Sequence, residues 1–199
     1  MARSGTSEER GVGSDALTAT ALAARRGDRE AAEAFVRATQ QQVWRLLVHL
    51  ADRRVAEDLT QETYLRAFAA LPAFRARASA RTWLLSIAHR VAADHLRLAR
   101  RRPRTNSGED WQGIAERAQP TVAAGPEDAL ALRQALAGLA TQRREAFVLT
   151  QVLGLCYAEA AEVCGCPVGT IRSRVARARD DLVLALSDGH GGGAATTEG

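Results

Sequence analysis

The stretch CYAEAAEVCGCPVGTIRSRVARARDDL, residues 156–182, holds two helical patterns separated by a turn. Cys156 opens the first, and Glu159, three residues on, can reach back to it as half of a capping box. Val163, Cys164 and Gly165 give a short turn, with glycine where a sharp reversal needs it. Pro167 then stands where the first turn of a new helix tolerates a missing N–H. In that second helix Ile171, Val175, Ala178 and Leu182 fall on one face at helical spacing. Gly169, Thr170, Ser173 and Arg177 form the opposite arc, with Arg172 and Arg174 on its flanks. An apolar stripe docked on the preceding helix aims the N-terminal half of the second outward, the geometry in which a recognition helix enters the major groove. Arginines there can grip guanine or phosphate bidentately, and Thr170 and Ser173 can reach either. The plainer reading is a solvated basic helix in a helical bundle. Turn, caps and outward arginines agree against it.

The rest of the composition suits such a chain. Of 199 residues 46% are hydrophobic, enough to bury real cores, and only 5% are aromatic, which favours helix over sheet. All 27 basic residues are arginine, so every available lone cation is a guanidinium fork. A GC-rich genome explains that usage more simply than selection for arginine. The net charge of +4 is a modest excess that decides little by itself. Three clustered cysteines (Cys156, Cys164 and Cys166), with no secretory leader ahead of them, argue against a disulfide framework. No apolar run is long enough to span a membrane, so a reducing cytoplasm is the expected compartment.

Two ordered blocks are predicted, 16–102 and 127–186, joined by a Pro- and Gly-containing linker over 103–126. Residues 1–15 and 187–199 lack periodicity or an apolar anchor and are expected to be disordered extensions. The first block reads as helices over about 17–24, from Arg29, from Val55 to before Pro72, and from Arg81 to Arg101. The last carries Leu84, Ile87, Ala88, Val91, His95 and Leu98 at three- and four-residue steps. The second block reads as helices over 127–139, 142–153, 157–163 and 167–186. Nothing alternates with period two, so the predicted class is all-α, with two small helical domains on a flexible linker.

PVGTIRSRVARARDDL resembles the region 4.2 signature of the extracytoplasmic-function (group 4) sigma factors, and GLCYAEAAEVCGCPVGTIRSR extends the likeness upstream. In that family the helix-turn-helix binds the duplex −35 promoter element, which implies that role for Gly169, Thr170, Arg172, Ser173, Arg174 and Arg177. Cys156 departs from the Ser or Thr usual at the helix cap, and a poor cap costs about 1 kcal/mol.

AEDLTQETYLRAFAAL, residues 56–71, resembles region 2.2, whose polar helix face docks on the β′ clamp helices of RNA polymerase. The resemblance carries over Asp58, Gln61, Glu62 and Arg66, with Leu65 as an apolar anchor one turn away. Alone, that string is only an amphipathic helix with exposed charges. It is followed, however, by FRARASARTWLLSIAHRVAADHLRLARRR, residues 74–102, which resembles the regions that capture the single-stranded −10 element. Arg75, Arg77, Arg81, Arg90 and Arg97 offer a basic surface for a phosphate backbone. The small-residue loop that includes Ser79 leaves room for a flipped base, with Thr82 and His89 near it. Trp83 fits two roles, stacking on an unpaired base or packing in the core, and the second is commoner for tryptophan. Ala80 stands where the family often has a larger residue.

The resemblance implies the β and β′ subunits of core RNA polymerase and promoter DNA as partners. An anti-sigma factor holds many members inactive. The strings quoted are particularly similar to actinobacterial members. No cofactor, membrane or small-molecule substrate is expected, and no catalytic residue is found. Cys164-x-Cys166 suggests a metal, but neither His nor Cys lies at a spacing that completes a tetrahedral set, so no metal site is predicted. The four histidines form no catalytic pattern, and there is no P-loop or dinucleotide-binding glycine pattern. Two other classes compete: a duplex-binding repressor or activator, and an enzyme with an appended helix-turn-helix. A repressor has no use for the DLTQE-to-TWLL block, and an enzyme would need a nucleophile constellation that is missing.

Overall fold

The structure, a computed structural model, describes residues 7–101 and 126–190, and every regular element among them is helical. In the first block α1 spans Ser7–Arg25, α2 Arg29–Leu50, α3 Arg53–Ala70 and α4 Ala80–Arg101. In the second, α5 spans Pro126–Gly138, α6 Thr141–Phe147, α7 Tyr157–Cys164 and α8 Val168–His190.

Local chemistry sets most of these boundaries. Gly27, at φ 96°, reverses the chain after α1, and the Asp28 carboxylate accepts the Ala31 N–H at 3.0 Å to start α2. Asp52 does the same for α3 through the Arg54 N–H at 2.8 Å. Pro72 ends that helix in a single tight turn, Leu71–Ala73. Ser79 caps α4, its hydroxyl accepting the Thr82 N–H at 3.1 Å.

Phe35, Val43, Leu46 and Leu47 of α2 pack against Leu84, Leu85, Ala88 and Val91 of α4, all buried. Burying each large apolar side chain favours folding by about 1.5–3 kcal/mol. A 2.7 Å contact between the Thr39 and Tyr64 hydroxyls ties α2 to α3. Arg25 fastens α1 to the loop before α4, donating to the Phe74 carbonyl at 2.7 Å.

In the second block α8 lays Ile171, Val175, Ala178 and Leu182 inward, exposed by 0, 1, 0 and 6%. The opposite helix surfaces cannot share that stripe. After α6 the chain makes a π-turn over Val148–Val152, where the Leu153 N–H skips to the Val148 carbonyl at 2.9 Å. This widened turn keeps Val148, Leu149, Leu153 and Leu155 buried while the chain changes direction at Gly154, φ 71°.

The two blocks share one buried cluster, reaching from Phe35 and Leu84 to Leu149, Ala160 and Ile171. α4 packs on α7, and α2 on α6. Arg81 crosses between them, donating to Gln42 Oε1 at 2.7 Å and to the Leu153 carbonyl.

Some expectations shift. α1 starts at Ser7 rather than near Leu17, so residues 7–15 are helical and not a disordered extension. Gly11 and Gly13, poor helix formers in a polar stretch, hide that helix from periodicity. α8 continues to His190, past the expected end at Leu186. Leu98 is 61% exposed because α4 outruns the core it packs on. Residues 1–6, 102–125 and 191–199 lie outside the described residues, and with them the expected 103–126 linker except for Pro126, which opens α5. No helix of the described residues is long and apolar enough to cross a membrane.

Candidate nucleic-acid and partner-docking surfaces

The α7–α8 pair forms the geometry of a helix-turn-helix. Cys156 sits in an extended conformation at the N-cap, where its Sγ accepts the Glu159 N–H at 3.5 Å and Glu159 Oε2 accepts the Cys156 N–H at 2.8 Å. Both halves of the capping box are present with sulfur in place of a hydroxyl. Gly165 closes α7 in the left-handed conformation, φ 62° and ψ 39°, and the next N–H, of Cys166, returns to the Ala161 carbonyl at 3.1 Å. The Pro167 carbonyl then accepts from Thr170 at 2.9 Å as α8 begins.

The outward arc of α8 is not uniform. Gly169, Arg172, Ser173 and Arg177 are exposed, whereas Thr170 and Arg174 are partly buried. Arg174 is tied down, donating to Gln142 Oε1 at 2.7 Å and to Cys166 Sγ at 3.6 Å. Ser173 directs its hydroxyl to the Thr170 carbonyl at 3.0 Å. Farther along, Arg143 pairs with Asp181 at 2.6 Å and Arg179 donates to Gln151 at 2.8 Å, bracing α8 against the segment before α7. Arg172 and Arg177 make no hydrogen bond or ion pair within the described residues, so both guanidinium forks face solvent.

On α3 the residues Asp58, Gln61, Leu65 and Arg66 are exposed and Glu62 is partly so. Asp58, Gln61, Glu62 and Leu65 recur at helical spacing and form one strip, with Leu65 69% exposed. Leu65 thus lies open to solvent beside a carboxylate and an amide on the same face of α3. Arg66 behaves differently. It bonds Glu62 at 2.7 Å and Asp94 of α4 at 2.8 Å, which makes it a brace between helices. Its hydrogen bond, with Arg97 adding, holds the Asp94 carboxyl below the usual carboxylate range.

The nine residues expected at the −10 strand divide into groups. Arg75, Arg77, Arg90 and Arg97 lie at the surface. Ser79 and Thr82 are spent on the start of α4, their hydroxyls 2.9 Å apart, with Thr82 only 1% exposed. Trp83 is partly buried, its ring centroid 4.8 Å from that of Phe74, at the edge of the core. Arg81 and His89 face the second block instead of solvent: Arg81 reaches Leu153, and His89 Nε2 lies 3.4 Å from Glu145 of α6. The connection before α4 contains Ala76 at φ 51°, a left-handed residue without glycine's freedom, which fixes the turn between Arg75 and Arg77.

Sequence reasoning missed the junction between the blocks. Cys164 lies there, partly buried, and burial, with Glu145 and Cys166 adding, pushes its thiol up to about 12. His49 of α2 is held below the ordinary imidazole range, first by burial and then by the charges of Arg144, Arg45 and Arg133. No local pattern announces either contact, because the partners come from distant parts of the chain.

Comparison with known proteins matches both halves of the chain to regions of one family. Residues 35–102 match the family described as Sigma-70 region 2, and residues 129–182 match Sigma-70, region 4. The chain is 56% identical over 169 residues to the ECF RNA polymerase sigma factor SigC of Mycobacterium tuberculosis, covering 85% of this chain and 90% of that one. It is 37% identical over 136 residues to the ECF RNA polymerase sigma factor EcfG of Rhodopseudomonas palustris, covering 68% and 72%. Among solved structures it is similar to the sigma factor RpoE, in complex with the anti-sigma factor NepR, from Bartonella quintana. The TM-score is 0.65 at 28% identity, covering 78% of this chain and 96% of that one. With a mycobacterial relative identical at 56% of 169 aligned residues, and both halves matched in order, the chain belongs to the extracytoplasmic-function sigma factors, which bind core RNA polymerase and direct promoter-specific initiation of transcription.

Proposed function

We propose that the α3 strip, the α4 surface and the outward arc of α8 divide the work of initiation among them. Asp58, Gln61, Glu62 and Leu65 dock on the β′ clamp helices, with Arg66 positioning Glu62 from beside them. Arg75, Arg77, Arg90 and Arg97 receive the backbone of the melted −10 strand, and Arg81 and His89 join them when the second block moves away. Ser79, Thr82 and Trp83 act through the shape of the loop and the start of α4. Arg172 and Arg177 read the −35 duplex, flanked by Gly169, Thr170, Ser173 and Arg174. The residues 16–102 and 127–186 are the two working units, and 103–126 is the tether. The chain supplies specificity while polymerase supplies the chemistry, in the cytoplasm where the polymerase is. The anti-sigma partner seen with the Bartonella quintana relative supports a protein of that kind as a regulator here.

The observation that carries this reading is the freedom of Arg172 and Arg177 at the N-terminal half of a helix whose other face is buried. Arg172→Ala or Arg177→Ala should weaken −35 recognition by about 1–3 kcal/mol, roughly 5- to 150-fold, where a bidentate base contact is lost. Arg174→Ala should cost less, since its guanidinium is engaged with Gln142. The measurement is promoter binding by the chain assembled with core polymerase, on templates with an intact or a scrambled −35 element. An unchanged −35 preference in both variants contradicts the assigned orientation of α8.

A further inference from the structure

The junction between the blocks gathers three side chains that initiation does not need together. His89 of α4, Glu145 of α6 and Cys164 at the end of α7 each offer one ligand atom, and these atoms all lie within 4.8 Å of one another. The side chains of His89 and Glu145 are only 16% and 15% exposed, and Cys164 is partly buried.

Three observations point to a ligand. His89 Nε2 is buried and makes no hydrogen bond, although Glu145 Oε2 stands 3.4 Å away. Buried polar atoms are rarely left so, because a buried hydrogen-bonding group without a partner loses its solvation and gains nothing in return. The donor set of imidazole nitrogen, sulfur and carboxylate oxygen is one that zinc takes, whereas magnesium and calcium prefer oxygen alone. Finally, a cleft of about 430 Å³ opens beside the cluster, with His89 and Cys164 in its wall, and gives an ion a way in.

We propose that His89 Nε2, Cys164 Sγ and a Glu145 carboxylate oxygen bind a zinc-like divalent cation, leaving its fourth position toward the cleft. Tetrahedral bonds of 2.0–2.3 Å set ligand atoms about 3.5 Å apart, so modest side-chain rotation closes the group around the ion. Cys164 releases its proton to solvent and binds as thiolate. The thiolate and the carboxylate together balance the dication among the surrounding arginines. The spacing of Cys164 and Cys166 alone gave no such set. The fold supplies the missing ligands from α4 and α6.

Because the ligands come from both blocks, the ion ties α4 to α6 and α7. Resting on the −10 assignment above, this makes the cation a lock: it holds His89, and with it the face of α4, away from promoter DNA.

The test is titration of the metal-free full-length chain with Co²⁺, followed by displacement with Zn²⁺. One equivalent should bind with a thiolate-to-cobalt charge-transfer band. Cys164→Ala should abolish the band and weaken binding at least tenfold, Glu145→Gln should weaken it, and Cys166→Ala and Cys156→Ala should retain it. Equal binding by wild type and Cys164→Ala, or a band lost only in Cys166→Ala, overturns the site. In transcription with core polymerase, Zn²⁺ should lower initiation several-fold for wild type and not for Cys164→Ala. Binding at Cys164 with initiation unaffected by Zn²⁺ leaves the site standing and overturns the lock. Neither result bears on the −35 contacts of α8, which are read separately.

Discussion

Ile171→Ala is expected to destabilise the chain by about 2–5 kcal/mol and to remove −35 binding with it. Ile171 has 0% exposure and lies in the cluster that holds α8 on α7. Deleting its outer carbons removes buried apolar surface and leaves a cavity that neighbours such as Val163 and Val175 are already too well packed to fill. The loss falls on the contact that keeps the recognition arc pointing outward. Urea unfolding followed by circular dichroism gives the free energy, and duplex binding below the transition gives the function. A change under about 0.5 kcal/mol, the usual scale of surface substitutions, would mean that α8 is the solvated basic helix of the competing reading.

Asp58→Arg should weaken binding to core polymerase by about 2–5 kcal/mol, roughly 30- to several-thousandfold. The position is exposed and lies beyond the first turn of α3, so reversing its charge should leave stability nearly unchanged. The substitution places a cation in a strip whose acidic and apolar members, Asp58, Glu62 and Leu65, are proposed to meet the clamp together. Binding measured against purified core polymerase, beside −35 duplex binding by the same variant, separates docking from folding. Equal loss of both properties would point to misfolding and against a docking role for the α3 strip.

How much of this was legible in the sequence depended on whether the cause was local. The stripe of α8 and the Gly165 turn are local, and the structure places Ile171, Val175, Ala178 and Leu182 inward as their spacing predicts. The Cys156 cap was legible too, although a thiol performs it. Ser79 shows a signal that was present but read otherwise. A serine just ahead of an apolar-periodic helix is an N-cap pattern, and the structure uses Ser79 and Thr82 that way. The start of α1 was hidden by its glycines, and the π-turn at Val148–Val152 leaves no periodic trace in five apolar and polar residues that still look helical. The meeting of His89, Glu145 and Cys164 could not be read at all. It depends on how two blocks pack across a long connection, and the spacing of cysteines along the chain is blind to that.

The most direct measurement of the central claim is transcription in vitro by purified core polymerase, with and without the chain, on promoter templates carrying intact or scrambled −10 and −35 elements. Initiation is expected at a defined start that requires the chain and falls when either element is scrambled. If the chain binds duplex DNA but core polymerase gains no promoter-specific initiation from it, the protein does not work as a sigma factor and the account is contradicted.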